Sequence, residues 1–442
     1  MSYSAGHGLP FEHASKLGHL NVIQSEWVKA LVSDFETDSV GDVGNYDKSI
    51  WRSINIDNIK PLQHIWVVDG SYVEVSDNKK EVAFVKTALM TIEQNKVSAI
   101  DKEYPHPLLL QDIMTDSALF HATVFPLKNI KSEKGNLYDT VRHVIYDSMR
   151  IDENGEYFET LKWLSYKKWS DEKLNSPNFQ CPHCDKEVKE GLPYDSDLAK
   201  CPHCGTEVYL TDMLGFHLDM NEENAPLSVA SSYMMIMELL MLFTVIRLHW
   251  NNRDRSLISE TLYIKDGPLS LRGQYVKLTP LIREFLQHAV DEGRPIHVLG
   301  CEKSGKFFDY LENVGKYIYI SDGEPRIAVL NHGFIRDEIN RTHKQAYAYG
   351  FKTNWGEKVL AVLDRNTQFV LNMTTGNYNP DDGFPKPEDI IGLDRIMATL
   401  PALVSRRYAG ALYPVELVNG IASMSYYPSS RILKDFADAM IQ

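Results

Sequence analysis

Between Met234 and Leu248 the chain runs through Met, Ile, Leu, Phe and Val with a single acid, Glu238. Such a stretch constrains the fold more than any other, because a helix this apolar must be covered by protein on nearly every side. It is too short to span a bilayer and also carries Arg247, so it reads as a core helix, with no membrane association expected. The helical neighbours of Glu238 at three and four residues are Met234, Met235, Met241 and Leu242. An unpaired carboxylate there would cost several kcal/mol or take up a proton. Glu238 therefore requires a cation, a hydrogen-bond donor or a metal ion.

Two further apolar runs, Ile65-Trp66-Val67-Val68-Asp69-Gly70 and Leu262-Tyr263-Ile264-Lys265-Asp266-Gly267, stop on the same dipeptide. Each reads as a buried strand whose last side chain is a carboxylate, followed by a glycine that permits a sharp turn. Asp-Gly after a strand is also a common turn with no chemistry attached. Two of them with Glu238 between them in sequence point to three acids delivered to one edge of a sheet. Hard divalent cations such as Mg²⁺ and Mn²⁺ prefer carboxylate oxygens and keep waters for reaction. Phosphodiester hydrolysis by two ions uses an acidic cluster of this kind.

At 442 residues, 43% hydrophobic and 24% charged, the composition is that of a soluble globular protein of two or three domains. No secretory signal is read at the N-terminus, and a cytoplasmic setting is expected. A net charge of −14 argues against electrostatic coating of nucleic acid by the chain alone. Action on DNA or RNA would need a local basic channel, bridging metal ions or a partner.

The pattern predicts an α/β fold with a mixed sheet flanked by helices. Residues 1–60 form an N-terminal helical segment, with a helix over Glu12–Phe35 whose apolar face includes Trp27 and Leu31, and a loop over Asp38–Tyr46. Residues 61–170 open with strands at Gln63–Asp69, Ser71–Val75 and Val82–Ile92, the last two joined by a polar turn, and continue with helices at Leu108–Phe125 and Leu137–Met149. Residues 171–212 are short of large aliphatics and read as an inserted module. Residues 213–442 resume the core with the Glu238 helix, the strand ending at Asp266 and a helix near Leu281–Val290. A strand Pro295–Gly300, a hairpin of Lys358–Leu363 with Gln368–Met373, and helices Glu388–Arg407 and Ser429–Gln442 complete it.

The inserted module holds Cys181-Pro-His-Cys184 and Cys201-Pro-His-Cys204-Gly205, sixteen residues apart. That is the spacing of a four-cysteine zinc ribbon in a reducing compartment. Four thiolates close the coordination sphere, so the Zn²⁺ would be structural. His183 and His203, inside the knuckles, read as exposed side chains outside the ligand set, and Cys301 reads as an ordinary buried thiol. Gly300-Cys301-Glu302-Lys303-Ser304-Gly305-Lys306 lacks the spacing of a phosphate-binding loop.

The order Asp on a first strand, Glu on a helix and Asp on a later strand resembles the RNase H-like fold. More narrowly, the chain resembles the NurA nuclease family in Trp66-Val67-Val68-Asp69-Gly70-Ser71, Glu238, Ile264-Lys265-Asp266-Gly267-Pro268-Leu269, Val298-Leu299-Gly300-Cys301-Glu302-Lys303-Ser304 and Tyr413-Pro414-Val415-Glu416-Leu417, and in an opening Ala14-Ser15-Lys16-Leu17-Gly18-His19. The resemblance implies a Mn²⁺- or Mg²⁺-dependent deoxyribonuclease with Asp69, Glu238 and Asp266 as metal ligands. It places Lys303 at the scissile phosphate or the DNA backbone, against the alternative of a solvated loop lysine. Arg272 and Lys277 are candidates to line a DNA path or to form surface salt bridges. The family has a His or Asp several residues beyond its Tyr-Pro motif. The corresponding stretch here is Leu417-Val418-Asn419-Gly420-Ile421, which leaves Asn419 as the nearest candidate for a fourth ligand. The resemblance further implies a homodimer docked on a HerA-type hexameric ATPase, processing DNA ends in repair or phage defence. Two alternatives stay open: a catalytically weak DNA-end adaptor of the ATPase, and a zinc-ribbon nucleic-acid-binding protein.

Overall fold

The computed structural model describes residues 25–33, 47–76, 80–99, 118–130, 132–318, 324–341, 349–376, 378–424 and 429–440. The loop expected at Asp38–Tyr46 and the stretch Ala14–His19 lie outside these residues. Of the expected N-terminal helix, Glu26–Ser33 is described and helical, and its Trp27 is exposed rather than packed.

Thirteen strands are found among the described residues, nine of them in one sheet. The first strands are β1 (Arg52–Ser53), β2 (His64–Ser76), β3 (Glu81–Glu93) and β4 (Ala118–Lys128). Short hairpins follow, of β5 (Phe179–Gln180) with β6 (Glu187–Val188) and β7 (Leu198–Lys200) with β8 (Glu207–Tyr209). The chain then adds β9 (Thr261–Asp266), β10 (His297–Glu302), β11 (Arg326–Val329), β12 (Glu357–Asp364) and β13 (Thr367–Met373). The order across the large sheet is β1-β11-β12-β13-β10-β9-β2-β3-β4. Only the central pairs β2/β9 and β9/β10 are parallel.

Side chains alternate between the two faces of each strand. On one face Val68, Tyr263 and Val298 enter a core beneath the helix Leu227–Trp250. On the other, Val67, Ile264 and Leu299 pack under the helices Leu393–Leu403 and Tyr413–Ala422. Leu227–Trp250 is longer than the expected Met234–Leu248, long and apolar enough to cross a membrane, yet 78% of its apolar window is buried in the fold. Its outer side is covered by the helices Glu156–Ser165 and Leu278–Asp291, which explains why its sequence has no polar face.

Two local expectations are corrected. Leu108–Phe125 is expected to be helical; residues 108–117 lie outside the described residues, and residues 118–128 are instead the edge strand β4, paired with β3 from Met90↔Ala118 to Glu81↔Lys128. His121 and Phe125 alternate inward from this strand against Tyr233, so pairing and packing override a pattern of large residues that also fits a helix. The second correction concerns Gly70. The expected break between Asp69 and Ser71 is absent: β2 runs unbroken through both, with Asp69 opposite Ala88 and Gly70 opposite Thr87. Gly70 is required by packing, since a Cβ there would lie 2.6 Å from Met234 Cγ and 2.9 Å from Glu238 Oε1. Gly267 does form the expected turn, with φ of 84°. Replacing Gly70 by alanine overpacks the helix contact and should cost about 1–3 kcal/mol in urea unfolding; an unchanged midpoint would contradict the close approach.

Candidate active site

The carboxyl ends of the parallel strands β9 and β10, and the middle of β2 where its pairing with β9 stops, open onto a groove of about 700 Å³. Asp69, Glu238, Asp266, Lys303 and Arg272 all line it. Strand alternation puts Asp69 and Asp266 on the face of the sheet away from Leu227–Trp250, two residues beyond Val67 and Ile264. Glu238 comes from the helix on the opposite face. The two faces meet at Gly70, where nothing but backbone separates them, and the Gly70 N–H donates to Asp69 Oδ1 at 2.8 Å.

The acids are unequally compensated. Glu238 Oε2 lies 2.7 Å from Lys265 Nζ, and both side chains are buried. Lys265 Nζ also donates to the Asp266 carbonyl at 2.9 Å. Asp266 Oδ2 accepts from Lys303 Nζ at 2.8 Å. Asp69 has no ion pair among the described residues. Burial, then the Asp266 and Glu238 carboxylates, push its carboxyl up to about 7, against the opposing pull of the Gly70 N–H and Lys303. Burial also raises Glu238, and Lys265 opposes that shift. Among the described residues only the four module cysteines are gathered closely enough to hold an ion as they stand; the groove acids share a lining rather than a closed ligand set, and as oxygen donors their chemistry is that of hard cations such as Mg²⁺ or Mn²⁺.

Two groove residues were not singled out from the sequence. Lys265 precedes Asp266 in an otherwise apolar strand, and a buried lysine there needed an acid just as Glu238 needed a cation. Glu302 also lines the groove, its Oε1 taking Asn372 Nδ2 at 2.6 Å and the buried Lys358 Nζ. Other candidates fall outside the groove. Lys277 donates to the Met213 carbonyl at 3.2 Å beneath the cysteine module, and burial lowers its pKa. Asn419 is exposed on Tyr413–Ala422, because Leu417 and Val418 take the buried side of that helix. The structure therefore does not bring Asn419 to the acids. Cys301, by contrast, borders the groove but is fully buried, its thiol pushed up to about 12 by burial.

The four module cysteines converge, with Sγ–Sγ distances of 3.9 Å for Cys181–Cys204 and Cys184–Cys201 and all four within 4.8 Å of one another. Zn–S bonds of about 2.3 Å in a tetrahedron require sulfurs about 3.8 Å apart, so the cluster fits zinc. In each knuckle the histidine N–H donates to the first cysteine, at 3.4 Å in both. The exposed rings of His183 and His203 reach across to the Glu207 and Glu187 carbonyls of the opposite hairpins, at 3.2 and 3.1 Å. The module is tied to the core by a buried fork of Arg142 on Asp212, at 2.9 and 2.8 Å, and by Tyr138 Oη on the Pro182 carbonyl.

No protein-family model matches the chain, and no curated protein matches it. Among solved structures the chain is similar to the NurA nuclease from Sulfolobus solfataricus, at 11% identity over 98% of this chain and 97% of that one, with a TM-score of 0.35. It is also similar to NurA bound to dAMP and manganese, at 10% identity over 97% and 98%, TM-score 0.28. NurA with manganese matches at 12% identity over 96% and 99%, TM-score 0.28.

Two measurements test the site. A carboxyl raised from 3.8 to about 7 on folding binds its proton more tightly in the native state. Its effect is therefore a loss of stability as pH rises from about 4 to about 7, complete above that. In chelator, Asp69→Asn should be more stable than the parent at pH 8, by up to roughly 4 kcal/mol, with the gain vanishing near pH 4; an equal gain at both pH values would refute the assigned strain. Elemental analysis should find about one zinc per chain, lost in Cys201→Ser, and full retention in that variant would rule out the four-thiolate site.

Proposed function

We propose that the chain is a Mn²⁺- or Mg²⁺-dependent DNA nuclease of NurA type. The observation that carries this reading is that Asp69, Asp266 and Glu238, from opposite faces of the sheet, line one groove that also holds Lys303 and Arg272. The β4-β3-β2-β9-β10 segment, an antiparallel meander continued by two parallel strands, supports an RNase H-like core. Asp69, Asp266 and Glu238 would hold the divalent cation, which when bound supplies Lewis-acid activation of water and stabilises the leaving oxygen.

The chain's own groups account for substrate placement. Lys303, on the loop after β10, is half-buried and can leave Asp266 to meet a backbone phosphate, with Arg272 on the same groove wall. Two cations are a small grip for a chain of charge −14. That imbalance supports delivery of DNA by a partner, a HerA-type hexameric ATPase, to a cytoplasmic homodimer that processes ends in repair or phage defence. The zinc ribbon would serve as a structural module beside the core, with residues 61–170 and 213–442 forming the two parts of the nuclease.

One observation favours the second reading, a catalytically weak adaptor at DNA ends. Lysines already neutralise Glu238 and Asp266, and the fourth-ligand candidate Asn419 stands outside the groove.

The two readings separate in one assay. Linear and circular DNA are incubated with the protein in Mn²⁺ or Mg²⁺, with and without the ATPase, beside Asp69→Ala. Digestion by the parent and a loss of at least 100-fold in the variant are expected, about the loss of a transition-state contact worth 3 kcal/mol. Undiminished digestion by a folded variant would sink the site assignment, and no digestion by the parent under any condition would move the reading to the adaptor.

A further inference from the structure

The two lysines on the groove acids are not equivalent. Lys303 belongs to a loop, its side chain is 30% exposed, and it makes a single contact with Asp266 that solvent can replace. Lys265 lies inside the central parallel strand β9, with its side chain 9% exposed. It is held at both ends of its reach, 2.7 Å from Glu238 Oε2 and 2.9 Å from the Asp266 carbonyl. Strand alternation directs it to the helix face, two residues beyond the buried Tyr263. It has no route to solvent that does not abandon Glu238 among Met234, Met235, Met241 and Leu242 as an unpaired buried charge.

Two-metal hydrolysis needs two cation positions bounded by shared carboxylates. Here one side of Glu238 is committed to an ammonium group built into the sheet. What remains for an exchangeable ion is the groove side lined by Asp69 and Asp266, towards which Glu238 can turn the Oε1 that lies over Gly70. We infer that Lys265 is a resident cation standing where a second divalent ion would sit, so that the groove takes one exchangeable ion rather than two. Lys265 acts on the reaction as a positioning residue, fixing the charge and orientation of Glu238. This inference rests on the reading of the groove as a divalent-metal site.

Ion counting tests it without reference to cleavage. Full-length protein carrying its zinc is stripped of other divalent ions and titrated with Mn²⁺, and free Mn²⁺ is followed by its electron paramagnetic resonance signal. One bound Mn²⁺ per chain is expected for the parent and two for Lys265→Met, in which the ammonium position is vacated. Lys265→Arg, which keeps the charge, should remain at one. Two ions on the parent would overturn the inference while leaving the metal-site reading intact. A count of one on folded Lys265→Met would also overturn it. No ion on any of the proteins would remove both. If Lys265→Met does not fold, the count on the parent decides alone.

Discussion

The contact on which the site depends is the approach of the helix Leu227–Trp250 to β2 at Gly70. With any side chain there, Met234 and Glu238 would be driven off the sheet. Because Gly70 has none, a carboxylate from one layer enters the groove that carboxylates from the other face also line, and the groove gains an acid that no strand could deliver. The same contact creates the electrostatic problem that Lys265 answers. Breaking a buried ion pair by removing one partner typically costs about 3–5 kcal/mol. The helix, the glycine, Glu238 and Lys265 are therefore coupled, and a change in one is felt by the others.

Much of this was legible in the sequence, for physical reasons that differ from residue to residue. Glu238 stood out because an acid amid methionines and leucines has few ways to exist. The cysteine module was legible because metal geometry dictates spacing. Asp266 was placed correctly at a strand end by the glycine after it, which does adopt positive φ. Asp69-Gly70 was misread as the same turn, since a glycine serving close packing and a glycine serving a turn look identical in a single sequence. The strand β4 reads as helix in the sequence because its large apolar residues fit either period until a partner strand is known. Lys265 was overlooked for a simpler reason: the complementary charges lie on different elements, and only the register of β2 against β9, Val68 opposite Lys265, brings them together.

The cysteine module shows a different economy. Its two hairpins are built alike, each knuckle histidine bonded to a carbonyl of the other hairpin, so the metal is supplemented by a symmetric pair of cross-braces. The module's attachment reaches inward through Asp212 and Arg142, and Met213, one residue on, accepts from Lys277. Lys277 ends a short helical turn, Gly273–Lys277, whose Tyr275 lines the groove. Order in the metal knuckles and order at the groove wall are thus joined by a short run of bonded residues.

The pairing of β2 with β9 has a consequence for how the chain is made. His64 lies opposite Thr261, roughly two hundred residues later, and the cysteine module is synthesised in between. Until β9 leaves the ribosome, the meander of β2, β3 and β4 has an open inner edge, and one of its apolar faces is bare until Leu227–Trp250 emerges shortly before β9. Long-range parallel pairing of this kind closes late, and an unpaired edge invites association with other chains. The module, whose fold is stapled locally by its own metal, can form during that interval and shorten the loop still to be closed.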